Sequence, residues 1–167
     1  MITFYPATTT HIPLIRELAS QTWKDTYGAI LSPQQLDWMF DWMYSPESLH
    51  RQIEEEKQQF FIASYAGSPC GYISIERQES DLFHFQKIYV HPAFQGKGVG
   101  RALIRQGIEY IRSFNQFPCR IELNVNRQNK ALHFYERVGF KIAGQGDFEI
   151  GNGYYMNDYI MALSLTR

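Results

Sequence analysis

The chain has 167 residues, of which 44% are hydrophobic, 16% aromatic and 20% charged. Disordered chains are poor in aromatics and high in net charge, so this composition excludes one, and the length favours a single domain over residues 1–167. With 16 basic and 17 acidic residues the formal net charge is −1, which leaves no basic excess for binding nucleic acid through its phosphates.

Two cysteines, Cys70 and Cys119, make no disulfide framework and read as small apolar residues of a reducing compartment, the cytoplasm. No run of about 18 apolar residues exists to span a membrane. The opening Met1-Ile2-Thr3-Phe4-Tyr5 lacks the basic-then-apolar order of a signal peptide. The expectation is a soluble intracellular protein.

A short strand is predicted at residues 2–6, then helices at 11–27 and 33–57. Ile12, Ile15, Leu18 and Ala19 recur at helical spacing in the first, and Leu36, Met39, Phe40 and Met43 in the second. Ser32-Pro33 is a cap followed by a first-turn proline, and Ser45-Pro46 repeats it, so the second helix is expected to break there. Residues 59–65 and 71–77 read as a hairpin around the turn Gly67-Ser68-Pro69-Cys70. Residues 82–90 form a third strand. Its apolar phase shifts between Phe83/Phe85 and Ile88/Val90, which predicts a bulge near Gln86.

A helix at 99–114 presents Val99, Leu103, Ile104, Gly107, Ile108 and Ile111 on one face. A strand follows at 119–125, then a short helix at 129–138 closed by Gly139. Strands at 140–143 and 154–163 end the chain, with a turn at Gly151-Asn152-Gly153. Short turns between strands imply antiparallel pairing, and the crossover from 82–90 to 119–125 implies one parallel pair. The predicted fold is α/β (α+β): a mixed, mostly antiparallel sheet of about seven strands with helices on both faces.

Gln95-Gly96-Lys97-Gly98-Val99-Gly100-Arg101 joins a strand to a helix. Glycine at every second position permits conformations closed to other residues. The N–H groups that open a helix attract anions, and Lys97 and Arg101 add charge, so the chemistry suits a phosphate or pyrophosphate. The loop lacks the Ser or Thr that a phosphate-loop nucleotide site places after its lysine, and its G-x-G-x-G spacing is not the dinucleotide G-x-G-x-x-G. A flexible turn with a glycine-rich helix entry is the plain alternative.

Ile88-Tyr89-Val90-His91-Pro92 followed by this loop resembles motif A of the GNAT superfamily of N-acetyltransferases, [Q/R]-x-x-G-x-[G/A] after a strand end. Ala131-Leu132-His133-Phe134-Tyr135-Glu136-Arg137-Val138-Gly139-Phe140 resembles their motif B, A-x-x-x-Y-x-x-x-G-F. The family's asparagine often stands three residues before that alanine. Asn129 stands two before it, and Asn126 is a substitute.

The resemblance implies a GNAT-like sheet in which the parallel pair splays apart and acetyl-CoA lies in the gap as co-substrate. It assigns main-chain contacts to Ile88, Tyr89 and Val90. It places the pyrophosphate on the N–H groups of Gln95, Gly96, Lys97, Gly98, Val99, Gly100 and Arg101, and the pantetheine arm on Asn129, whose alternative role is a helix cap. An N–H near Val90 would steady the oxyanion of acyl transfer. Tyr135 matches the family's general acid, against a plain core tyrosine. Many relatives carry a glutamate base four residues before the position of Ile88, and here that position is His84. His84 is a base by its pKa range, or a relay through a water held by Gln86, or an ordinary strand histidine. Glu122 is a further base candidate. The resemblance calls for no metal.

The stretch Thr22-Trp23-Lys24-Asp25-Thr26-Tyr27, with Trp38 and Trp42-Met43-Tyr44-Ser45, resembles a bacterial branch containing PaiA-type polyamine acetyltransferases. It implies a small primary amine as acceptor, held by Trp23, Tyr27 and Trp38 through cation–π contact, with Asp25, Asp37 and Asp41 nearby. The bland reading of these residues is an aromatic core with a solvated acidic face. A protein N-terminus or an antibiotic is the alternative acceptor, and a non-catalytic acyl-CoA sensor the alternative role. Relatives are often dimers, so a homodimer is compatible with the resemblance.

Overall fold

The computed structural model describes residues 1–166. Serine caps and first-turn prolines set the helices of the amino-terminal third. α1 (Ile12–Tyr27) follows β1 (Ile2–Ala7) and a single 3-10 turn. α2 (Pro33–Tyr44) starts where the Ser32 hydroxyl accepts the Gln35 N–H, 3.2 Å. α3 (Pro46–Glu54) starts where the Ser45 hydroxyl accepts the Ser48 N–H, 3.1 Å. The second Ser-Pro therefore ends one helix and opens another, as the sequence predicts.

β2 (Gln59–Tyr65), β3 (Ser68–Glu79) and β4 (Leu82–Val90) form a meander. The first turn is Ala66-Gly67, with φ of 49° and 86°, rather than residues 67–70. Both residues take the positive φ that suits the right-handed twist of a tight hairpin, so Ser68 already belongs to β3. In β4, Ser74 faces Lys87 and Ile75 faces Phe85, which leaves Gln86 as the extra residue of a bulge.

α4 (Val99–Phe114), β5 (Cys119–Asn126) and α5 (Ala131–Val138) follow. β6 (Lys141–Gly151) and β7 (Tyr154–Leu165) close the chain. β6 is far longer than the expected 140–143. Gly144, Gln145, Gly146 and Asp147 break its apolar pattern, yet backbone pairing with β7 carries them as a polar strand at the sheet edge.

The strands run in the order β1-β2-β3-β4-β5-β7-β6, antiparallel except for β4 and β5. One face packs on α4 and α5 through Phe83, Phe85, Leu103, Ile104, Ile121, Leu123 and Met161. At Gly107 an added Cβ would meet Phe85 Cζ at 2.7 Å, which shows how closely α4 lies on the sheet. The other face packs on α1, α2 and α3 through Ile15, Trp23, Met39, Tyr44, Leu49, Phe60 and Tyr72. No helix among the described residues is long and apolar enough to cross a membrane.

Candidate active site

The parallel strands pair at only three positions, Leu82 with Arg120, Phe83 with Ile121 and His84 with Glu122. Beyond that point β4 stays paired with β3 as far as Val90, and β5 stays paired with β7 as far as Asn126. The two strands are thus held on their outer sides and part on their inner ones. The Gln86 bulge sits just past the last pair and adds local twist, which helps them separate. The His91 N–H reaches the Cys70 carbonyl of β3, 2.7 Å, so by alternation Tyr89 also bonds toward β3, while the backbone groups of Ile88 and Val90 point into the gap, where the Val90 carbonyl accepts the Gln95 amide.

The glycine loop closes one end of the gap. The Gln95 amide donates to the Val90 carbonyl, 3.5 Å, and ties the loop to the strand end. Gly96 and Gly98 both have φ of 81°, which an L side chain rarely adopts. Gly100 acts differently, since a Cβ there would meet the Phe134 ring at 3.1 Å and press it aside by a few tenths of an ångström. The first bond that closes α4 runs from Ala102 N–H to Gly98 C=O, 3.1 Å, so the N–H groups of Val99, Gly100 and Arg101 have no helical acceptor. The Lys97 ammonium lies over the Tyr65 ring, 5.5 Å from its centre, at the loop's flank. Free helix-opening N–H groups beside a lysine suit an anion such as a pyrophosphate.

α5 packs beside the start of α4 through Phe134. Tyr135 is buried on the same helix, its ring edge-on to Phe140 at 6.2 Å. Its hydroxyl makes no hydrogen bond among the described residues. Burial and the neighbouring Tyr27 phenol push its pKa well up, so it keeps its proton at any working pH. The Asn129 side-chain oxygen accepts the Ala131 N–H, 2.9 Å, from just before the Lys130 cap position, and so takes the first N–H of α5. Asn126 accepts the Gln128 N–H in the same manner, 2.8 Å.

On the opposite face of the sheet, β5 presents Glu122, Asn124 and Asn126 while Ile121, Leu123 and Val125 face α4 and α5. His84 Nε2 lies 3.0 Å from Asn124 Oδ1, and Asn124 donates its amide to Asp158 Oδ2 at 3.3 Å. This chain of side chains crosses three strands. Burial lowers the His84 pKa, opposed by the Asn124 bond and by Glu122 and Glu76, so the ring is neutral near pH 7. Gln86 donates to Glu76, 3.3 Å, and Glu122 accepts from Arg120, 2.8 Å.

A small cleft opens beside this chain, lined by Tyr27, Leu31, Gln35, Met39, Asn124, Asn126, Tyr155, Met156 and Asp158. α1, α2 and the β6–β7 hairpin enclose it, and Gln35 clamps the hairpin by donating to the Tyr155 carbonyl, 3.0 Å. Of the three aromatics assigned to the acceptor, only Tyr27 lines it. Trp23 is a core residue, 5% exposed, whose indole N–H donates to the Leu36 carbonyl at 3.0 Å. Trp38 stacks on Trp42 at 5.7 Å and against Tyr154 at 5.6 Å, outside the cleft. Asp25, Asp37 and Asp41 are exposed. Asp158, absent from the sequence reading, is the carboxylate in the cleft. A signal existed: Asn157-Asp158 interrupts a largely apolar and aromatic strand, opposite a strand whose alternate residues are polar.

Residues 29–161 match the family described as "Acetyltransferase (GNAT) domain". An uncharacterized N-acetyltransferase of Methanocaldococcus jannaschii is 32% identical over 113 residues, which cover 62% of this chain and 44% of that protein, less than half its length. The spermidine N(1)-acetyltransferase of Thermoplasma acidophilum is 27% identical over 133 residues, covering 75% of this chain and 80% of that one. Among solved structures, the Thermoplasma acidophilum PaiA N-acetyltransferase in complex with coenzyme A superposes with a TM-score of 0.81 at 23% identity, over 99% of each chain.

Proposed function

The chain belongs to the GNAT acetyltransferase family, and from that premise we propose that it transfers the acetyl group of acetyl-CoA to a primary amine of a small, polyamine-like molecule. The observation that carries this reading is the parting of β4 from β5 after His84 and Glu122. The pantetheine amides complete the gap-side hydrogen bonds of Ile88 and Val90, while Tyr89, between them, is held by β3. The N–H groups from Gln95 to Arg101 take the pyrophosphate. An N–H near Val90 aims at the thioester oxygen and stabilises the charge that develops there.

The acceptor enters from the α1–α2 side. The cleft walls are thioether, aliphatic and phenol groups from Met39, Met156, Leu31, Tyr27 and Tyr155, with no Lys, Arg or His among them. Such walls suit an ammonium on an aliphatic stem. The spermidine acetyltransferase relative supports the same acceptor class. Tyr135, protonated and without a hydrogen-bond partner, gives its proton to the departing sulfur.

Thiol release from acetyl-CoA, measured with a panel of amines, tests the reaction. Tyr135→Phe is expected to lower kcat by about ten- to a hundredfold while acetyl-CoA affinity stays within twofold. An unchanged kcat removes Tyr135 from the chemistry. Absence of thiol release with every amine removes the transferase reading.

A further inference from the structure

We propose that the Asp158 carboxylate is the group that meets the acceptor amine: it binds the ammonium and takes its first proton. This rests on the transferase reading above and adds the residue that reading lacks.

Asp158 is 1% exposed and lines the cleft. Its carboxylate accepts one hydrogen bond, from Asn124, and pairs with no cation among the described residues. Arg127 forms no ion pair with it: its charge acts on Asp158 only through space, partly offsetting the burial that raises the Asp158 pKa, and its guanidinium is bonded elsewhere. It bonds the Asp147 carboxylate at 2.6 Å and the backbone carbonyls of Gly146 and Asp158 at 3.0 and 3.5 Å. A buried carboxylate without a cation is costly, and such groups concentrate at functional sites. An arriving ammonium would supply the missing charge.

Position agrees with this. Asp158 faces Asn126 across the β5–β7 pair, beyond the point where β5 leaves β4. The only phenol of α1 in the cleft, Tyr27, is hydrogen-bonded to Tyr89 at 3.2 Å and is no counter-ion, because burial keeps it neutral. The surrounding Leu31, Met39 and Met156 accommodate an aliphatic stem but offer no second charge.

The same arrangement defines His84. Asp158 accepts from the Asn124 amide nitrogen, which turns the Asn124 oxygen toward His84 Nε2. Nε2 therefore carries the ring proton, and Nδ1, buried and without a partner, carries the lone pair. Asn124 stands between His84 and the cleft, so His84 is a positioning residue for the Asn124–Asp158 unit.

The step balances as follows. The ammonium gives one proton to the Asp158 carboxylate and becomes a neutral amine. Its lone pair forms the C–N bond as the carbonyl π pair moves to oxygen. That pair returns, the C–S bond breaks and sulfur leaves with its electrons. Sulfur takes the Tyr135 proton, Tyr135 recovers the second proton of the nitrogen, and Asp158 releases the first to solvent. The products are the acetamide, CoA thiol and one proton.

With spermidine and 1-aminobutane as probes, Asp158→Asn is expected to lower amine kcat/KM at least a hundredfold, with acetyl-CoA KM and the acetyl-CoA thermal shift within twofold of wild type. A value of amine kcat/KM within threefold of wild type, or an equal loss of acetyl-CoA affinity, overturns the proposal. Leu31 is half-exposed on the cleft wall and gives a test that leaves the Asn124–Asp158 bond intact. Leu31→Lys is expected to raise amine KM at least tenfold above Leu31→Gln, since it places a like charge opposite the ammonium. Equal effects of the two also overturn it. Wild-type protein that releases no thiol with either amine, or with any other, removes the transferase reading instead.

Discussion

The two faces of the sheet are built for different purposes. Under α4 and α5 the strands contribute Phe83, Phe85, Ile121, Leu123 and Val125, and the helices return Leu103, Ile104 and Ile111. Under α1, α2 and α3 the strands contribute buried Lys87 and Asp158, half-buried His84 and exposed Asn124, set among buried phenols such as Tyr44 and Tyr72, whose hydroxyls bond at 2.8 Å. The first face is a dry core that holds the strands on their outer sides. The second tolerates buried polar groups that a core alone would replace with carbon. Both faces carry apolar core, but the buried polar groups that line the cleft lie on the second, while Tyr135 and the glycine loop belong to the first, and the gap between β4 and β5 is where they meet.

The largest effect that separates the faces is expected at Leu103, which is fully buried against the sheet. Leu103→Ala should cost about 2–5 kcal/mol of stability and leave amine KM unchanged at temperatures where the protein is folded. Denaturant unfolding beside steady-state kinetics checks both; a large change in amine KM would erase the distinction.

Lys87 offers a slightly smaller and pH-dependent contrast. It is buried beneath α3, donating to Gln52 at 2.6 Å, and burial drops its pKa from 10.5 to about 8. Between those two values the unfolded chain holds a proton that the folded chain has released, so folding stability rises with pH through that window. Below pH 8 the charged form carries its full penalty, roughly 3 kcal/mol from the size of the shift. Lys87→Met should therefore gain stability relative to wild type at pH 7, less whatever the stranded Gln52 and Gln58 amides lose, and that gain should shrink toward pH 10.5. Thermal unfolding across pH measures it, and a pH-independent difference would mean that Lys87 is not penalised.

The smallest expected effect is at His84, held behind Asn124. His84→Ala should reduce kcat about fivefold, of the order of 1 kcal/mol. Burial holds its pKa below that of a free imidazole, so the wild-type rate should fall only at pH more acid than a free histidine would require, and the variant should lose part of that dependence. Glu76, Glu122 and Lys87 set its field, so the profile should also respond to their neutralisation. Full activity of the variant at every pH would make His84 an ordinary strand residue.

Much of the first face was legible along the chain. The helical spacing of α4 and the strand β4 are local patterns, and the phase slip between Phe85 and Ile88 located the Gln86 bulge. The loop glycines were legible as backbone features, although Gly100 turned out to clear the Phe134 ring as well. The second face was harder. Trp23 looked like an acceptor contact because aromatics near carboxylates suit cations, but its neighbours Tyr27, Phe40 and Tyr44 make a core. Asp158 was missed because its environment is assembled from α1, α2, β5 and β7, residues far apart in sequence that share no periodic signature. β6 was cut short for a related reason: edge pairing, not hydrophobicity, defines it.

Coenzyme A soaked into or crystallised with the protein tests the central claim most directly. The account predicts density for the pantetheine arm between β4 and β5 beyond the His84–Glu122 pair, with the pyrophosphate on the N–H groups from Gln95 to Arg101. Coenzyme bound elsewhere, or β4 and β5 paired along their whole length, would contradict it.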